Sequence, residues 1–456
     1  MIDVKNVPAT KEDLDTYEVD HIFHPWSYQG AQAPLRVVSA KGTRFTTDDG
    51  KERLDFSACF ADHNIGHQDP RVIEAICEQA KTLCSFAPNL ANKPRALLAK
   101  VLAEITPGDL TRTFFSLSGT EAVEIGIKMC HQFTRKRKII SRYRSFHGAS
   151  STSMTVSAGD PRSWVQVKGG TELVAVPLPY CYRCMFGQKY PDCDLQCVKY
   201  VDEVIELEGG GELVAGILFE PVTGPHGIIV PPPEYFPRLK EVCDKWGVLM
   251  IADEIMSGFG RTGKWFAMEN WGVVPDIMIM AKGLTCGYVP LGATMAREYI
   301  SNGFKERFFG YGSSYGGHAL GCAAALAVIS VYQEDDLIEN SRKMGAYLLE
   351  RARELKDKHP SVGDVRGLGL FVGLELVKNK KTREPIMPVA AKILPGTNPK
   401  LEVGKKLADM NMMAMTANPS NVIGLSPPLG ITRDEIDEAI ATMDIALEAA
   451  DAYTHD

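Results

Sequence analysis

The sequence predicts an α/β fold, with a mostly parallel sheet in a large domain and a smaller C-terminal domain of α+β character. Two observations support this prediction. Between about residues 71 and 325, short apolar runs alternate with helical patterns, which is typical of a parallel sheet covered by helices. Beyond that point the alternation ends, and a chain of 456 residues is longer than one hydrophobic core usually supports.

The N-terminal segment, residues 1–70, mixes helical and strand patterns. The sequence TDDG at residues 47–50 predicts a hairpin turn between two short strands. Asp69 and Pro70 then predict the start of a helix, because Asp is a good N-cap and Pro suits the first helical turn.

The large domain is expected over residues 71–325. Its strands are predicted from apolar runs that end at polar or Gly residues. These runs are Arg112–Leu117, Lys138–Arg142, Val214–Phe219, Val248–Ala252, Asp276–Ala281 and Gly292–Ala296. A long alanine-rich helix is expected to begin at His318.

The small domain is expected over residues 326–456. Amphipathic patterns predict helices at 336–358 and 432–452, on either side of a strand at Gly369–Val377. The stretch from Lys378 to Lys400 is rich in Lys and Pro and predicts a surface loop.

Composition excludes several classes of protein. A net charge of −7 gives no reason to expect nucleic acid or an anionic membrane as a partner. The N-terminus has no apolar core of a signal peptide, and the longest apolar stretch is too short to span a bilayer. Eleven cysteines in a chain of this length favour free thiols in a reducing cytoplasm.

Lys282 and Asp253 each follow an apolar run that predicts a buried strand. In open α/β sheets, ligands bind beyond the carboxyl ends of such strands. A lysine amine and an aspartate there are what pyridoxal phosphate (PLP) requires, one for a Schiff base and one for the pyridinium nitrogen. The alternative is an ordinary buried ion pair.

Further candidate residues follow three other predicted strands. Ser118, Gly119 and Thr120 begin a helix, where free amides and hydroxyls suit a phosphate, although a plain N-cap explains them equally well. Phe146 offers an aromatic face, but a core Phe is the commoner interpretation. Glu220 ends a strand at the same edge of the sheet.

With these residues in this order, the sequence resembles the class III (ω-) aminotransferases. The motifs that carry the resemblance occur in order along nearly the whole chain, from about Gly42 to Ile445. They are Ser118-Gly119-Thr120-Glu121-Ala122, Phe146-His147-Gly148, Glu220-Pro221, the run from Asp253 to Gly263, Lys282-Gly283-Leu284 and Ser314-Tyr315-Gly316-Gly317-His318.

The resemblance implies the PLP-dependent fold type I and a homodimer with a shared active site, with assembly to a tetramer left open. It implies that Lys282 forms the Schiff base and moves the proton, and that Asp253 pairs with the pyridine nitrogen. Phe146 and Ile255 would enclose the ring, beside His147 and Glu220. Ser118, Gly119 and Thr120 would hold the phosphate, with Ser314 reaching it from the neighbouring subunit.

The chain departs from the family pattern at Gly424. Many relatives have an Arg there, which binds the carboxylate of the keto acid and otherwise pairs with the Glu at position 220. Arg162 is our candidate for a replacement, since Arg is the preferred partner of carboxylate and sulfonate oxygens; a surface Arg is the alternative.

The N-terminal segment matches the part of ω-amino-acid relatives that packs with the small domain and lines the substrate pocket. Its aromatic residues Phe23, Trp26 and Tyr28 would suit a short, unbranched amino donor, whereas simple docking of the N-terminus is the alternative. The resemblance is strongest to members that transfer the amino group of taurine to pyruvate. β-Alanine or another ω-amino acid, with pyruvate or 2-oxoglutarate as acceptor, is the alternative.

Four cysteines, Cys181, Cys184, Cys193 and Cys197, have spacings that allow zinc, but the final pair has helical spacing and the family needs no metal. We therefore expect thiols and no metal.

A nucleotide-dependent oxidoreductase is disfavoured because Gly367-x-Gly369 lacks a third Gly and no strand is predicted before it. Decarboxylases and aminomutases of this fold share the cofactor residues. A non-catalytic relative would lack Lys282 or Asp253.

Overall fold

The computed structural model describes residues 7–31, 35–388 and 398–455. The strands of these residues are β1 (Val37–Lys41), β2 (Arg44–Thr47), β3 (Glu52–Asp55), β4 (Leu110–Ser116), β5 (Lys138–Arg142), β6 (Glu172–Val176), β7 (Val214–Phe219), β8 (Leu249–Asp253), β9 (Ile277–Met280), β10 (Gly292–Arg297), β11 (Val362–Gly367), β12 (Val372–Asn379), β13 (Glu384–Pro385), β14 (Met412–Met413) and β15 (Val422–Leu425).

The helices surround these strands. The α-helices of the described residues are α1 (Lys11–His21), α2 (Ala58–Ala61), α3 (Pro70–Thr82), α4 (Lys93–Ile105), α5 (Gly119–Thr134), α6 (Ser151–Val156), α7 (Gln196–Leu207), α8 (Gly210–Leu213), α9 (Tyr235–Trp246), α10 (Glu298–Gly303), α11 (Ala319–Glu334), α12 (Leu337–Lys358), α13 (Pro399–Asp409) and α14 (Arg433–Asp451). Short 3₁₀ turns lie at Gln29–Ala31, Pro161–Val165, Cys181–Arg183, Ala267–Trp271 and Lys282–Leu284.

A seven-stranded sheet organises the large domain, in the order β4-β10-β9-β8-β7-β5-β6. β10 pairs antiparallel with both β4 and β9, and the remaining pairs are parallel, so the predicted mostly parallel sheet is confirmed. Every residue of β7, β8 and β9 is buried, which explains why these strands read as continuous apolar runs.

The sequence did not predict strand β6. It lies at the edge of the sheet, and only its last residue, Val176, is fully buried. Its apolar run is four residues long, which is at the lower limit of a recognisable strand. The predicted hairpin at 47–50 and the helix that starts at Asp69-Pro70 are both present.

Two smaller sheets lie outside the central one. β3 pairs with β14, which joins the N-terminal segment to the C-terminal part of the chain. The predicted strand at Gly369–Val377 is observed as β12, between β11 and β15. The expectation that no strand precedes Gly367-x-Gly369 is wrong, because β11 ends at Gly367; another strand follows, however, where a nucleotide-binding motif needs a helix.

The helices predicted near residues 318, 336–358 and 432–452 are confirmed as α11, α12 and α14. The apolar helix α11 packs on α3 and α4. Within residues 7–31, 35–388 and 398–455, none of the helices has the length and hydrophobicity that a membrane span requires. The division at 325/326 remains a prediction and falls inside α11. Residues 389–397 of the predicted surface loop lie outside the described residues.

Candidate active site

Four of the predicted site residues lie at one edge of the central sheet. Strands β5, β7, β8 and β9 are neighbours and parallel, so their carboxyl ends lie together. His147 follows β5, Glu220 follows β7, Asp253 ends β8 and Lys282 follows β9. The sheet topology therefore gathers residues that are far apart in the sequence.

Lys282 lies in a strained part of the backbone, with a φ of 44° in the left-handed region. Its side chain is half-buried, and Nζ donates a 2.9 Å hydrogen bond to the carbonyl of Phe60. Burial lowers the pKa of Lys282, and the carboxylates of Asp62 and Asp253 act in the opposite direction. A lowered pKa makes the amine easier to deprotonate, which is what a nucleophilic lysine requires.

The buried carboxylate of Asp253 is held by two donors. Nδ1 of His147 donates to Oδ2 at 2.7 Å, and the amide of Ile255 donates to Oδ1 at 3.1 Å. Nε2 of His147 is buried and has no hydrogen-bond partner among the described residues.

The start of α5 has two amides available for an anion. Ser118 is the N-cap, and its hydroxyl accepts from the amide of Glu121 at 3.3 Å. Gly119 and Thr120 occupy the first turn, where amides have no acceptor within the helix. The N-cap interpretation is therefore correct for Ser118, and it is compatible with an anion at the next two amides.

Gly119 lies against Ile255. A Cβ atom built on Gly119 would be 2.8 Å from Cδ1 of Ile255, so glycine permits this close approach. The hydroxyl of Thr120 contacts the next segment, 2.8 Å from Oγ of Ser153, and accepts from the amide of Ala149 at 3.0 Å. The helix start, Ile255 and the loop after β5 consequently form one connected wall.

Glu220 is buried beside this wall. Its carboxylate accepts from the amides of Phe146 at 3.1 Å and Gly224 at 2.8 Å. Burial raises the pKa of Glu220 to about 7, and the charge of Asp253 acts in the same direction, against the favourable charge of His147 and these two amides.

Arg162 and the aromatic residues form a second wall. The guanidinium of Arg162 lies 3.7 Å from the ring centroid of Phe146 and 5.2 Å from that of Trp26. It also forms an ion pair with Asp160 at 2.6 Å, so part of its hydrogen-bonding capacity is already used. Nη1 makes no hydrogen bond to the residues that the structure describes.

The three aromatic candidates of the N-terminal segment differ in their contacts and exposure. Trp26 makes edge contacts with Phe60 and Phe146. Phe23 is 92% exposed and Tyr28 is 54% exposed. Ser314 is also exposed on the single chain. The structure thus brings Trp26 to Phe146, while the roles expected of Phe23, Tyr28 and Ser314 stay predictions.

Gly424 lies within strand β15, and its surroundings leave little room for a side chain. A Cβ atom there would be 2.5 Å from Cε of Met415 and 3.3 Å from Cδ1 of Ile228. The absence of the Arg is therefore accompanied by packing that fills its place.

The four clustered cysteines line one small cavity together with Tyr180 and Pro232. All four are free thiols, and no three of their sulfur atoms lie within 4.8 Å of one another. The expectation of thiols without a metal stays a prediction.

Sequence reasoning missed two parts of the site. Residues 58–61, the short element α2, form a left-handed turn and not a right-handed helix, because all four φ angles are positive; this turn presents the Phe60 carbonyl to Lys282. Its sequence, Ala-Cys-Phe-Ala, contains no Gly, so no turn signal was available. Asp160, the partner of Arg162, precedes Pro161, and this Asp-Pro pair was a usable capping signal.

Comparison with known proteins agrees with this geometry. The family profile described as Aminotransferase class-III matches residues 27–447. The chain belongs to the class III aminotransferases. Members of this family use PLP, and their fold is the PLP-dependent fold type I that the sequence predicted.

Several relatives of known activity are similar over almost their whole length. A leucine/methionine racemase of Thermococcus litoralis is 34% identical over 417 residues, covering 91% of each chain. A taurine–pyruvate aminotransferase of Bilophila wadsworthia is 33% identical over 449 residues, covering 96% of this chain and 97% of the relative.

Among solved structures, a taurine:2-oxoglutarate aminotransferase from Bifidobacterium kashiwanohense, in complex with PLP and glutamate, has a TM-score of 0.91 and 34% identity. It covers 98% of this chain and 99% of its own. These three relatives differ in reaction or in acceptor, so the similarity does not fix the donor and acceptor of this enzyme.

Proposed function

We propose that this class III aminotransferase uses PLP bound at Lys282 to transfer the amino group of taurine to pyruvate, giving sulfoacetaldehyde and alanine. The observation that carries the proposal is the arrangement at the sheet edge. A half-buried lysine with a lowered pKa, a fixed carboxylate at Asp253 and a helix start with free amides lie at one edge of the central sheet, and we place the cofactor in the space beside them.

The residues of this space fit the cofactor. The first-turn amides of Gly119 and Thr120 suit its phosphate, and Asp253 suits a protonated ring nitrogen. Ile255 and Phe146 supply apolar surface for the ring.

When bound, PLP supplies an electron sink that stabilises negative charge on the carbon next to the transferred nitrogen. The protein residues perform the remaining tasks. Nζ of Lys282 would accept the proton from that carbon and deliver it to the carbon on the other side of the transferred nitrogen. Asp253 maintains the positive charge on the ring nitrogen, and His147 keeps Asp253 oriented.

The acid group of the substrate is assigned to Arg162. Its guanidinium lies over Phe146, a residue proposed to enclose the cofactor ring, and its Nη1 is not engaged by the described residues. Gly424 supplies no second cation. A pocket with one such cation suits a molecule with one acid group, which is true of both taurine and pyruvate and favours pyruvate over 2-oxoglutarate.

The proposal includes a homodimer in which Ser314 of one subunit contributes to the phosphate site of the other. The exposure of Ser314 on the single chain is consistent with this role. We also place the enzyme in the cytoplasm, because all eleven cysteines are free thiols.

The first experiment is the absorbance spectrum of the purified yellow enzyme after taurine is added without a keto acid. We expect the band of Lys282-bound cofactor to disappear and the pyridoxamine band to appear, and pyruvate to reverse the change. An unchanged spectrum with taurine but conversion by β-alanine would reject taurine and select the alternative donor. Recovery with 2-oxoglutarate and not with pyruvate would reject the proposed acceptor.

A further inference from the structure

A group of metal-ligating side chains lies next to the candidate active site. Cys59, His63 and His67 each offer one ligand atom, and these three atoms lie within 4.8 Å of one another. The two imidazole rings have centroids 4.6 Å apart. Among the described residues, these three side chains are close enough together to hold a metal ion.

Both imidazoles are oriented by a carboxylate. Nδ1 of His63 lies 2.6 Å from Oδ1 of Asp62, and Nε2 of His67 lies 2.9 Å from Oδ2 of Asp55. These bonds leave the opposite ring nitrogen of each histidine for another partner. Histidines that bind metals are usually fixed in this way, because the carboxylate sets the tautomer and increases the basicity of the ligand nitrogen.

The loop that carries Cys59 is held in an unusual conformation. The φ angles of residues 58–61 are all between 41° and 71°, which costs energy for residues other than Gly. This conformation belongs to the residue that carries the Cys59 thiol and to its neighbours, so backbone strain is present beside the three ligand atoms.

The group is accessible from solvent. His63 and His67 line a cleft of about 280 Å³ together with Gly287, Tyr288 and residues of α3. Gly287 has a φ of 74°, and a Cβ atom there would be 2.5 Å from Cε1 of His63. Glycine at this position therefore preserves space for the ring at the entrance of the cleft.

We propose that Cys59, His63 and His67 form a binding site for a borderline divalent metal ion, with Zn²⁺ as the representative ion. One thiolate and two imidazoles are suitable ligands for zinc, and a water molecule from the cleft completes the tetrahedron. Tetrahedral zinc requires ligand atoms about 3.3–3.6 Å apart, so small side-chain movements are sufficient. Binding breaks the S–H bond of Cys59, forms the S–Zn bond and releases the proton to solvent.

The site is independent of the proposed taurine reaction, because none of its three ligands is assigned to the cofactor or substrate. The site nevertheless lies next to a residue that contacts Lys282. Phe60, the residue after Cys59, accepts the hydrogen bond from Lys282. A bound ion would thus fix the turn that contacts the reactive lysine.

The test is zinc retention by the holoenzyme after equilibrium dialysis against limiting Zn²⁺, measured by mass spectrometry. We expect one zinc ion per chain, and at least tenfold weaker retention in the Cys59→Ser and His67→Gln variants. Cys84→Ser removes an exposed thiol elsewhere and is expected to retain zinc like the wild type. No retention by the wild type, or equal retention by the two ligand variants, would overturn the proposal.

A second measurement does not depend on the folding of variants. Crystals of the wild-type holoenzyme grown with Zn²⁺ are expected to show an anomalous peak, at the zinc absorption edge, between the side chains of Cys59, His63 and His67. A peak at another position with none here would also overturn the proposal.

Discussion

His147 and Asp253 form a buried pair in which Nδ1 of the imidazole donates a 2.7 Å hydrogen bond to Oδ2 of the carboxylate. The second carboxylate oxygen accepts from the amide of Ile255. Asp253 therefore has both oxygens fixed by protein groups, and a fixed charge needs no reorganisation during a reaction. His147 is consequently a positioning residue for Asp253.

Replacing His147 tests this relationship. His147→Ala removes a hydrogen bond to a charged group, which contributes about 1.5–3 kcal/mol, so we expect cofactor affinity and kcat to fall about 10- to 100-fold. His147→Asn retains an N–H donor and is expected to keep most of both. Cofactor affinity is measured by equilibrium dialysis. Equal losses in the two variants would show that the hydrogen bond is not the cause.

Lys282→Ala is expected to abolish turnover and the spectral shift of the cofactor, because it removes the only amine that follows β9 at the sheet edge. Lys264→Ala is the matched control, since Lys264 is exposed. We expect the control to have wild-type kcat and spectrum. Turnover by Lys282→Ala at the rate of the control would reject the assignment.

The contact between Gly119 and Ile255 predicts a compensating pair of substitutions. Gly119→Ala places a Cβ atom 2.8 Å from Cδ1 of Ile255, and overpacking of this kind costs about 1–3 kcal/mol. We expect cofactor affinity to fall about tenfold. Ile255→Val removes that Cδ1 atom, so the double variant is expected to recover most of the affinity. No recovery in the double variant would show that the contact does not govern binding.

Much of the fold was predictable because its signals are local. The buried strands β7, β8 and β9 are continuous apolar runs, and Asp69-Pro70 and Thr432 are capping signals that require no knowledge of distant residues. The positions of Asp253 and Lys282 at strand ends followed from the same runs. Their meeting at one edge is a consequence of parallel pairing, which the alternation of strands and helices predicted.

The remaining parts of the site depend on contacts between distant segments. The position of the Arg162 guanidinium over Phe146 and beside Trp26 arises from the folding of the loop after β5 and its contact with the N-terminal segment. The left-handed turn at residues 58–61 lacks the Gly and Asn residues that signal such a conformation. Tertiary packing imposes both, so neither could be derived from periodicity or turn chemistry.

Arg162→Gln tests whether this arginine recognises the acid group. We expect KM for taurine to rise at least tenfold, since a charge-assisted hydrogen bond is lost, and KM for a neutral alkylamine to change little. Arg144→Gln is a control, because Arg144 stacks on Tyr180. A similar rise for taurine and the neutral amine would indicate that Arg162 only supports Asp160 and the fold.

The final prediction concerns pH and Glu220. Burial, aided by the charge of Asp253, raises the pKa of Glu220 to about 7 from its ordinary 4.5. The folded state therefore binds this proton more tightly than the unfolded state does. It follows that the contribution of Glu220 to stability is greatest below about pH 4.5, falls as pH rises to about 7, and is constant above that. The change is of the order of 3 kcal/mol.

Glu220→Gln removes the titration while preserving the size of the side chain, although one amide hydrogen then faces a backbone N–H. We expect the Tm of the variant holoenzyme to fall less than that of the wild type between about pH 5 and about pH 8. Glu254, whose pKa burial also raises to about 7, remains in both proteins, so a smaller common decrease should persist in each. Calorimetry over this pH range provides the comparison. If the two Tm profiles run parallel, Glu220 does not change its protonation between the folded and unfolded states, and its burial is compensated by the amides of Phe146 and Gly224.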